Sequence, residues 1–289
     1  MSTVSFPGIG LSFHLNRVAF SIGGFHIYWY GIIIACGFFF GAWFCVTHGK
    51  YVGIKGEDFL DALLFGAPCG ILGARLYYIV FNYSLYQKPG GGLDLRACLN
   101  IHNGGLAIYG GIIAATIVAF LVARYKKISF AALIDLTAYG LLIGQMIGRW
   151  GNFVNAEAFG RETTLPWRMG IEKTVNGVSQ YMEVHPTFLY ESLWNLLGFL
   201  ILVLVLRKGW RRFDGMIFLL YVAWYGFGRG LIESLRTDSL YFFSTGIRTS
   251  QMLGFVSCIF ALLLLVWKLS RRPDPKDMFV NRRDNQTHT

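Results

Sequence analysis

Charge is what this chain has least of. Only 15% of its 289 residues are Asp, Glu, Lys or Arg, against ~25% in an average soluble domain. Apolar residues make up 54%, and the mean hydropathy is +0.48. Such a chain has too little polar surface to face water on every side, which excludes an ordinary soluble domain and implies an integral membrane protein. Acidic residues are the scarcer sign, 16 against 26 Lys and Arg, giving a formal charge of +10. In a soluble protein that excess would point to nucleic acid. Here the basic residues sit in short loops between apolar runs, so orientation and anionic lipid headgroups explain them and no nucleic-acid partner is expected. Cysteine is sparse and scattered: Cys36, Cys45, Cys69, Cys98 and Cys258 show no CxxC or other metal spacing. An odd number in largely apolar segments argues for free structural thiols, with neither metal nor cofactor expected. No cleavable leader is expected, because the first 25 residues lack a basic start followed by an uninterrupted apolar core and a small-residue cleavage site. Residues 1–26 alternate apolar and polar and read as an extramembrane or interfacial segment. No internal repeat is visible, which counts against an inverted-repeat transporter.

What the chain has instead is long apolar runs. About 20 apolar residues cross a bilayer as a helix, and seven stretches qualify: roughly 27–47, 59–81, 104–123, 130–148, 188–206, 214–235 and 251–268. Basic loops follow the first, third, fifth and seventh, at Lys50 and Lys55, at Arg124, Lys126 and Lys127, at Arg207, Lys208, Arg211 and Arg212, and at Lys268, Arg271 and Arg272. The positive-inside rule makes that side cytoplasmic. The expected fold is an all-α integral membrane protein with seven transmembrane helices, the N-terminus outside and the C-terminus cytoplasmic. Residues 1–270 form one transmembrane domain with a small outer cap within 149–187, where Gly170–Lys173 and Gly177–Tyr181 read as short strands or turns. The polar tail 271–289 reads as disordered. Gly66, Gly70 and Ala74, and Gly140, Gly144 and Gly148, lie four apart and read as close helix-packing stripes.

One stretch carries far more polar equipment than a helix end requires: Gly148-Arg149-Trp150-Gly151-Asn152-Phe153-Val154-Asn155-Ala156-Glu157, closing at Gly160. Charges inside a bilayer cost ~2.5–3.5 kcal/mol or more, so each needs a partner, a wet cavity or a job. In the sixth run Tyr225, Arg229, Glu233 and Arg236 are spaced by four, four and three and share one helix face. Arg229 and Glu233 form either a self-satisfied pair or one wall of a polar cavity, and the glycines of Trp224-Tyr225-Gly226-Phe227-Gly228-Arg229-Gly230 favour the cavity. Arg75 either snorkels to the interface or lines the site. Asp61 and Asp135, at inner helix ends, read as structural. Glu191 follows His185-Pro186 near a helix start, where the dipole favours an acid. Tyr30 lies deep enough to need a partner, and His102 and Tyr109 flank the glycine-rich start of the third run. Topology gathers these groups in the outer half, where two arginines with amides and tyrosines suit a phosphate-bearing lipid headgroup.

Gly148-Arg149-x-Gly151-Asn152-Phe153-x-Asn155-x-Glu157-x-x-Gly160 resembles the signature of the prolipoprotein diacylglyceryl transferases with every fixed position filled. The resemblance runs from about Phe20 to the last span. It takes in Tyr28-Trp29-Tyr30-Gly31, Gly73-Ala74-Arg75, Gly104-Gly105 with Gly110-Gly111, His185-Pro186 with Tyr190-Glu191, and Tyr225, Arg229, Glu233 and Arg236. It implies an enzyme of the bacterial cytoplasmic membrane that moves a diacylglyceryl group from phosphatidylglycerol to the lipobox cysteine of a prolipoprotein signal peptide, releasing glycerol phosphate. Arg149 and Arg229 would hold the phosphate, Asn152, Asn155, Glu157 and Glu233 would keep the geometry, and Tyr30 would line the site, with Gly160, Tyr225, Arg236 and Arg75 close by. Where this family often has a histidine before Gly110-Gly111, this chain has Tyr109. A phenol titrating near 10 is a poor base at neutral pH, so the base is Tyr109, His102 or no dedicated group. The rival expectation is a transporter or lipid-binding membrane protein that holds anionic headgroups without chemistry.

Overall fold

The computed structural model describes residues 2–88, 90–100, 104–175, 178–238, 241 and 246–282. In chain order the strands and helices are β1 (Ser2–Phe6), β2 (Leu11–Leu15), β3 (Val18–Ile22), β4 (Phe25–Tyr28), α1 (Trp29–His48), α2 (Gly56–Phe81), α3 (Leu95–Leu99), α4 (Ile108–Tyr125) and α5 (Phe130–Asn155). These are followed by β5 (Met169–Val175), β6 (Val178–Val184), α6 (Thr187–Arg207), α7 (Met216–Glu233) and α8 (Thr249–Ser270). Among the described residues six helices are long and apolar enough to cross a bilayer: α1, α2, α4, α5, α6 and α8. The protein is therefore mostly helical and membrane-embedded in character. The chain divides into two compact units, one of Met1–Cys45 with Asp135–Met278 and one of Val46–Ile134 with Phe279–Thr289.

In the first unit, α1 and α5 approach at their glycines. A Cβ on Gly41 would stand 2.8 Å from the Gly140 carbonyl, and one on Gly37 would stand 3.2 Å from that of Gly144. The stripe on α5 is thus a packing stripe, as expected. Helices α6 and α7 are clamped by Trp194 and Trp224, whose rings stack at 4.3 Å. Each indole N–H donates to the other residue's carbonyl, at 3.0 and 2.9 Å. The Gly228 site, where any Cβ would strike Trp194, leaves room for that clamp, and Gly226 meets the backbone of α8 at Gly254. These glycines, expected to open space beside Arg229, are spent on helix contacts. Asp135 is fully buried and accepts from Arg211 Nε at 3.1 Å and from the Gly215 and Phe218 amides at 2.8 Å each. It caps α7, a structural role as expected, though for a different helix from its own.

The cap is more ordered than an irregular loop. Strands β1, β2, β5 and β6 form one antiparallel sheet in the order β2-β1-β5-β6, so the N-terminal segment pairs with the long segment between α5 and α6. Val4, Met169, Ile171 and Val184 from this sheet are buried with Phe188 of α6 and packed by Phe153 of α5. Phe153 and Phe188 lie 4.8 Å apart.

The second unit is built on α2 and α4. Its helices approach closely at Gly73 and Gly110, where a Cβ on Gly73 would stand 2.7 Å from the Gly110 carbonyl and one on Gly110 nearer still to that of Gly73. Gly66, expected to belong to the packing stripe, has nothing within 4 Å of such a Cβ. Asp58 and Asp61 both pair with Lys126, the former at 3.6 Å, so Asp61 is structural as expected. Beyond α8 the chain makes a 3-10 turn at Pro275–Asp277, and Val280 packs against Gly53 in this unit.

Candidate active site

The polar stretch sits in helix, where a loop was expected. Its fourth run was expected to end near residue 148, but α5 continues to Asn155. Nothing between 148 and 155 is a proline, and the polar side chains have partners inside the protein, so the helix has no reason to stop. Ala156 and Ala158 end it by taking left-handed φ values of 49° and 56°, which non-glycine residues seldom adopt. Arg149, Asn152 and Asn155 consequently project at intervals of three from one end of a rigid rod, while Phe153 between them anchors the cap. Glu157 folds back beneath this end. Its Oε1 accepts from Asn152 Nδ2 at 3.1 Å and from Asn155 Nδ2 at 3.2 Å. Asn152 Oδ1 in turn accepts from Arg149 Nη1 at 3.4 Å, a bond at the long end of the useful range. Glu157 thus reaches Arg149 through Asn152.

Glu191 is the centre of the cluster. Its carboxylate is buried, on the second turn of α6, and meets three guanidiniums. Arg149 Nη2 lies 2.6 Å from Oε2, Arg229 Nη1 lies 3.2 Å from Oε1, and Arg236 Nη1 lies 3.3 Å from Oε1. Arg229 also pairs with Glu233 at 2.5 Å. That contact is close but poorly angled, since Glu233 Oε2 is buried and receives no well-formed hydrogen bond. The self-satisfied pair therefore exists, but as part of a larger network. Arg236 makes a two-pronged contact with Asp238, at 2.9 and 2.7 Å. This contact, with the Arg236 hydrogen bond as its main cause, holds the Asp238 carboxyl below its usual range.

Arg149, Arg229 and Arg236 face the two buried carboxylates of Glu191 and Glu233, so these five groups together carry one positive charge, with the half-exposed Asp238 paired to Arg236. The side chains of Arg149 and Arg229 remain 20% and 17% exposed. A ligand can reach them, and an anion is what they would attract. Arginine suits a phosphate because its planar fork offers two parallel N–H donors.

Other predicted residues fall into place around this core. The Tyr30 ring lies over Gly151, where a Cβ would stand 2.7 Å from Cδ2. Tyr225 stacks on Tyr221 with ring centres 5.8 Å apart. Gly160 bridges the backbone of Arg236, donates its amide to His185 O at 3.0 Å, and would crowd His185 with any side chain. Its role is to let the Arg236 strand pass close. His185 Nδ1 lies 3.2 Å from the Tyr190 hydroxyl. Burial, aided by the charge of Arg161, pushes its pKa below the ordinary value. Arg75 and Tyr109 belong to the second unit. All five Arg75 N–H donors go to main-chain carbonyls, those of Ala97, Cys98, Asn100, Gly104 and Gly105, at 2.7–2.9 Å. That leaves none for a substrate, and Arg75, buried rather than snorkelling to the interface, ties those residues to α2. Tyr109 is the second residue of α4 and half exposed. His102 lies outside the described residues.

Two groups escaped the sequence reading. Glu191 appeared only as an acid suited to a helix start. Its signal was the absence of a basic residue at i±3 or i±4 (Phe188, Trp194, Thr187 and Asn195 flank it), which forced its partners onto other helices. Asp238, beyond the end of the sixth apolar run, carried no signal.

A family model described as prolipoprotein diacylglyceryl transferase matches residues 17–267. The chain belongs to that family. It is 40% identical over 276 residues to the phosphatidylglycerol–prolipoprotein diacylglyceryl transferase of Enterococcus faecalis, covering 93% of this chain and 95% of the relative. The proteins of the same name from Finegoldia magna and Bacillus cereus are each 42% identical, over 252 and 257 residues. Both matches cover 87% of this chain, and 95% and 92% of the relatives.

Proposed function

We propose that this transferase moves the diacylglyceryl group of phosphatidylglycerol onto the lipobox cysteine of prolipoproteins, at the outer face of the bacterial cytoplasmic membrane. The observation that carries the site assignment is the convergence of Arg149, Arg229 and Arg236 on Glu191, in a chain whose relatives bear the transferase name. In this reading α7 is a seventh span, its charges tolerated because they face the cluster. The basic loops place the N-terminus and the cap outside and the C-terminus inside.

Arg149 and Arg229 seat the phosphate, with Arg236 beside them. Asn152, Asn155, Glu157 and Glu233 fix their positions, Tyr30 and Tyr225 line the same end, and Gly160 lets Arg236 approach. The cysteine sulfur attacks the glyceryl carbon next to the phosphate. The carbon–sulfur bond forms as the carbon–oxygen bond breaks, and the electron pair leaves on the phosphate oxygen of glycerol phosphate. The thiol proton passes to Tyr109, to His102 or to water. A free thiol titrates near ~8.5 and is partly ionised at neutral pH, more so in a positive field, so the arginines serve nucleophile and leaving group together.

The test is transfer itself. Purified protein is mixed with phosphatidylglycerol vesicles and a lipobox peptide, and the peptide mass is followed. A diacylglyceryl adduct is expected. Binding of the lipid without any adduct would leave a lipid-binding protein and overturn the enzyme reading.

A further inference from the structure

Beneath the arginines lies a second polar layer, two members of which, Gln145 and Asn195, have no part in the reaction as described. Three helices each place an uncharged polar residue one turn deeper than their charged one. On α5 it is Gln145, four residues before Arg149. On α6 it is Asn195, four after Glu191. On α7 it is Tyr225, four before Arg229, with Tyr221 one turn further. Four residues of helix advance by ~6 Å, so the layer sits one such step from the guanidiniums, towards the bundle and away from the cap.

The faces agree. On α6, Ser192 donates to the Met146 carbonyl of α5 at 2.9 Å and Phe199 packs on Tyr139 of α5, while Trp194 stacks on Trp224 of α7. At 3.6 residues per turn, Glu191 and Asn195 fall on the arc between those two contact strips, facing the space that α5 and α7 share. Across it, Gln145 Nε2 donates to the Tyr221 hydroxyl at 2.9 Å, which ties α5 to α7 at this level.

Two acceptors of the layer have no donor. Asn195 is 2% exposed and its Oδ1 has no hydrogen-bond partner, and neither does the buried Gln145 Oε1. A buried acceptor left unpaired costs ~1–3 kcal/mol, and here two of them occur one turn below a surplus of N–H donors. The complementary ligand is an anion that carries its own O–H donors close by. Choline offers no such donor. An ammonium offers donors but would bring a charge to carboxamides, which cannot neutralise it.

We infer that Gln145 and Asn195 form the headgroup-specificity subsite of the donor lipid, accepting hydrogen bonds from the hydroxyls of the glycerol esterified to the phosphate. This rests on the arginine cluster being the phosphate seat. The subsite selects a polyol phosphodiester over one with an apolar or cationic headgroup.

The experiment compares phosphatidylglycerol with phosphatidylpropanol, which keeps the phosphodiester and lacks the headgroup hydroxyls, as donors to a lipobox peptide. The wild type is set beside Asn195→Leu and Gln145→Met, both near-isosteric and suited to an apolar helix surface. Wild-type kcat/KM is expected to favour phosphatidylglycerol by about tenfold for each hydrogen bond lost. Each variant should shrink that preference, mainly through KM, so that removing hydroxyls and removing carboxamides do not add. Additive losses, or an unchanged preference in both variants, would overturn the assignment. Competition by free glycerol phosphate against the donor lipid is measured in parallel. If it is present while the losses add, only the hydroxyl subsite falls. If it is absent in the wild type, the phosphate seat falls and the subsite with it.

Discussion

Arg149 Nη2 stands 2.6 Å from Glu191 Oε2, and this contact joins the signature helix α5 to the opening turns of α6. The same carboxylate also meets Arg229 and Arg236, so one acid sets the spacing of three cations. Glu191→Gln keeps the shape and removes the charge. Breaking a buried ion pair from one side costs about 3–5 kcal/mol, and this substitution leaves three mutually repelling guanidiniums. It is expected to lower thermal stability measurably and transfer by a hundredfold or more, with Arg149→Ala and Arg229→Ala abolishing transfer in folded protein. Transfer assays beside thermal unfolding in the same detergent check this. A Glu191→Gln protein within threefold of wild type would remove Glu191 from the centre.

Glu157 makes a separable prediction. Its Oε1 receives two carboxamide N–H groups, a task a neutral oxygen can also perform. Glu157→Gln is therefore expected to retain activity within about threefold, whereas Glu157→Leu should release Asn152 and cost at least tenfold. If Gln is as damaging as Leu, the negative charge itself matters and Glu157 acts on more than its two asparagines.

A pH effect follows from His185. Burial first, then Arg161, lowers its folded pKa beneath the unfolded value near 6.5. A depressed base favours the neutral form in the fold, so its stabilisation is fully present above the unfolded pKa and drains away as pH falls through the folded one. Wild-type protein should therefore lose more thermal stability than His185→Gln between pH 7 and pH 5. Parallel losses in the two proteins would show that His185 titrates alike folded and unfolded.

The sequence made some of this legible and hid the rest for physical reasons. Apolar runs and basic loops follow from the bilayer as solvent, so six spans and the polar stretch could be read directly. Arg229 and Glu233 share a face at helical spacing, and that pairing is local. The role of Glu191 is not local, because its three partners lie 38 to 45 residues away and only packing brings them together. Arg75 shows the opposite case. A lone arginine among tyrosines left snorkelling and site-lining both open, and neither foresaw the five main-chain carbonyls that consume it, which no spacing rule could have counted. The signature was read as lying beyond a helix end, yet it is helical as far as Asn155, since its glycines suggested a loop while Gly151 serves close contact with Tyr30.

The proton remains, and Tyr109 offers the sharpest test of how much help the thiol needs. Tyr109 opens α4 with its ring half exposed. A neutral hydroxyl is a poor proton acceptor. If the thiol near ~8.5 ionises in the arginine field, no strong base is required, and Tyr109→Phe should lower kcat/KM by less than about tenfold. The rate should then rise with pH along a limb set by the peptide thiol, and a peptide thiol of lower pKa should shift that limb down equally in wild type and variant. A drop of a hundredfold or more with loss of that limb would assign the proton to the Tyr109 hydroxyl. A small drop with a limb that ignores the peptide thiol would assign it to another protein group, of which His102 is the first to substitute.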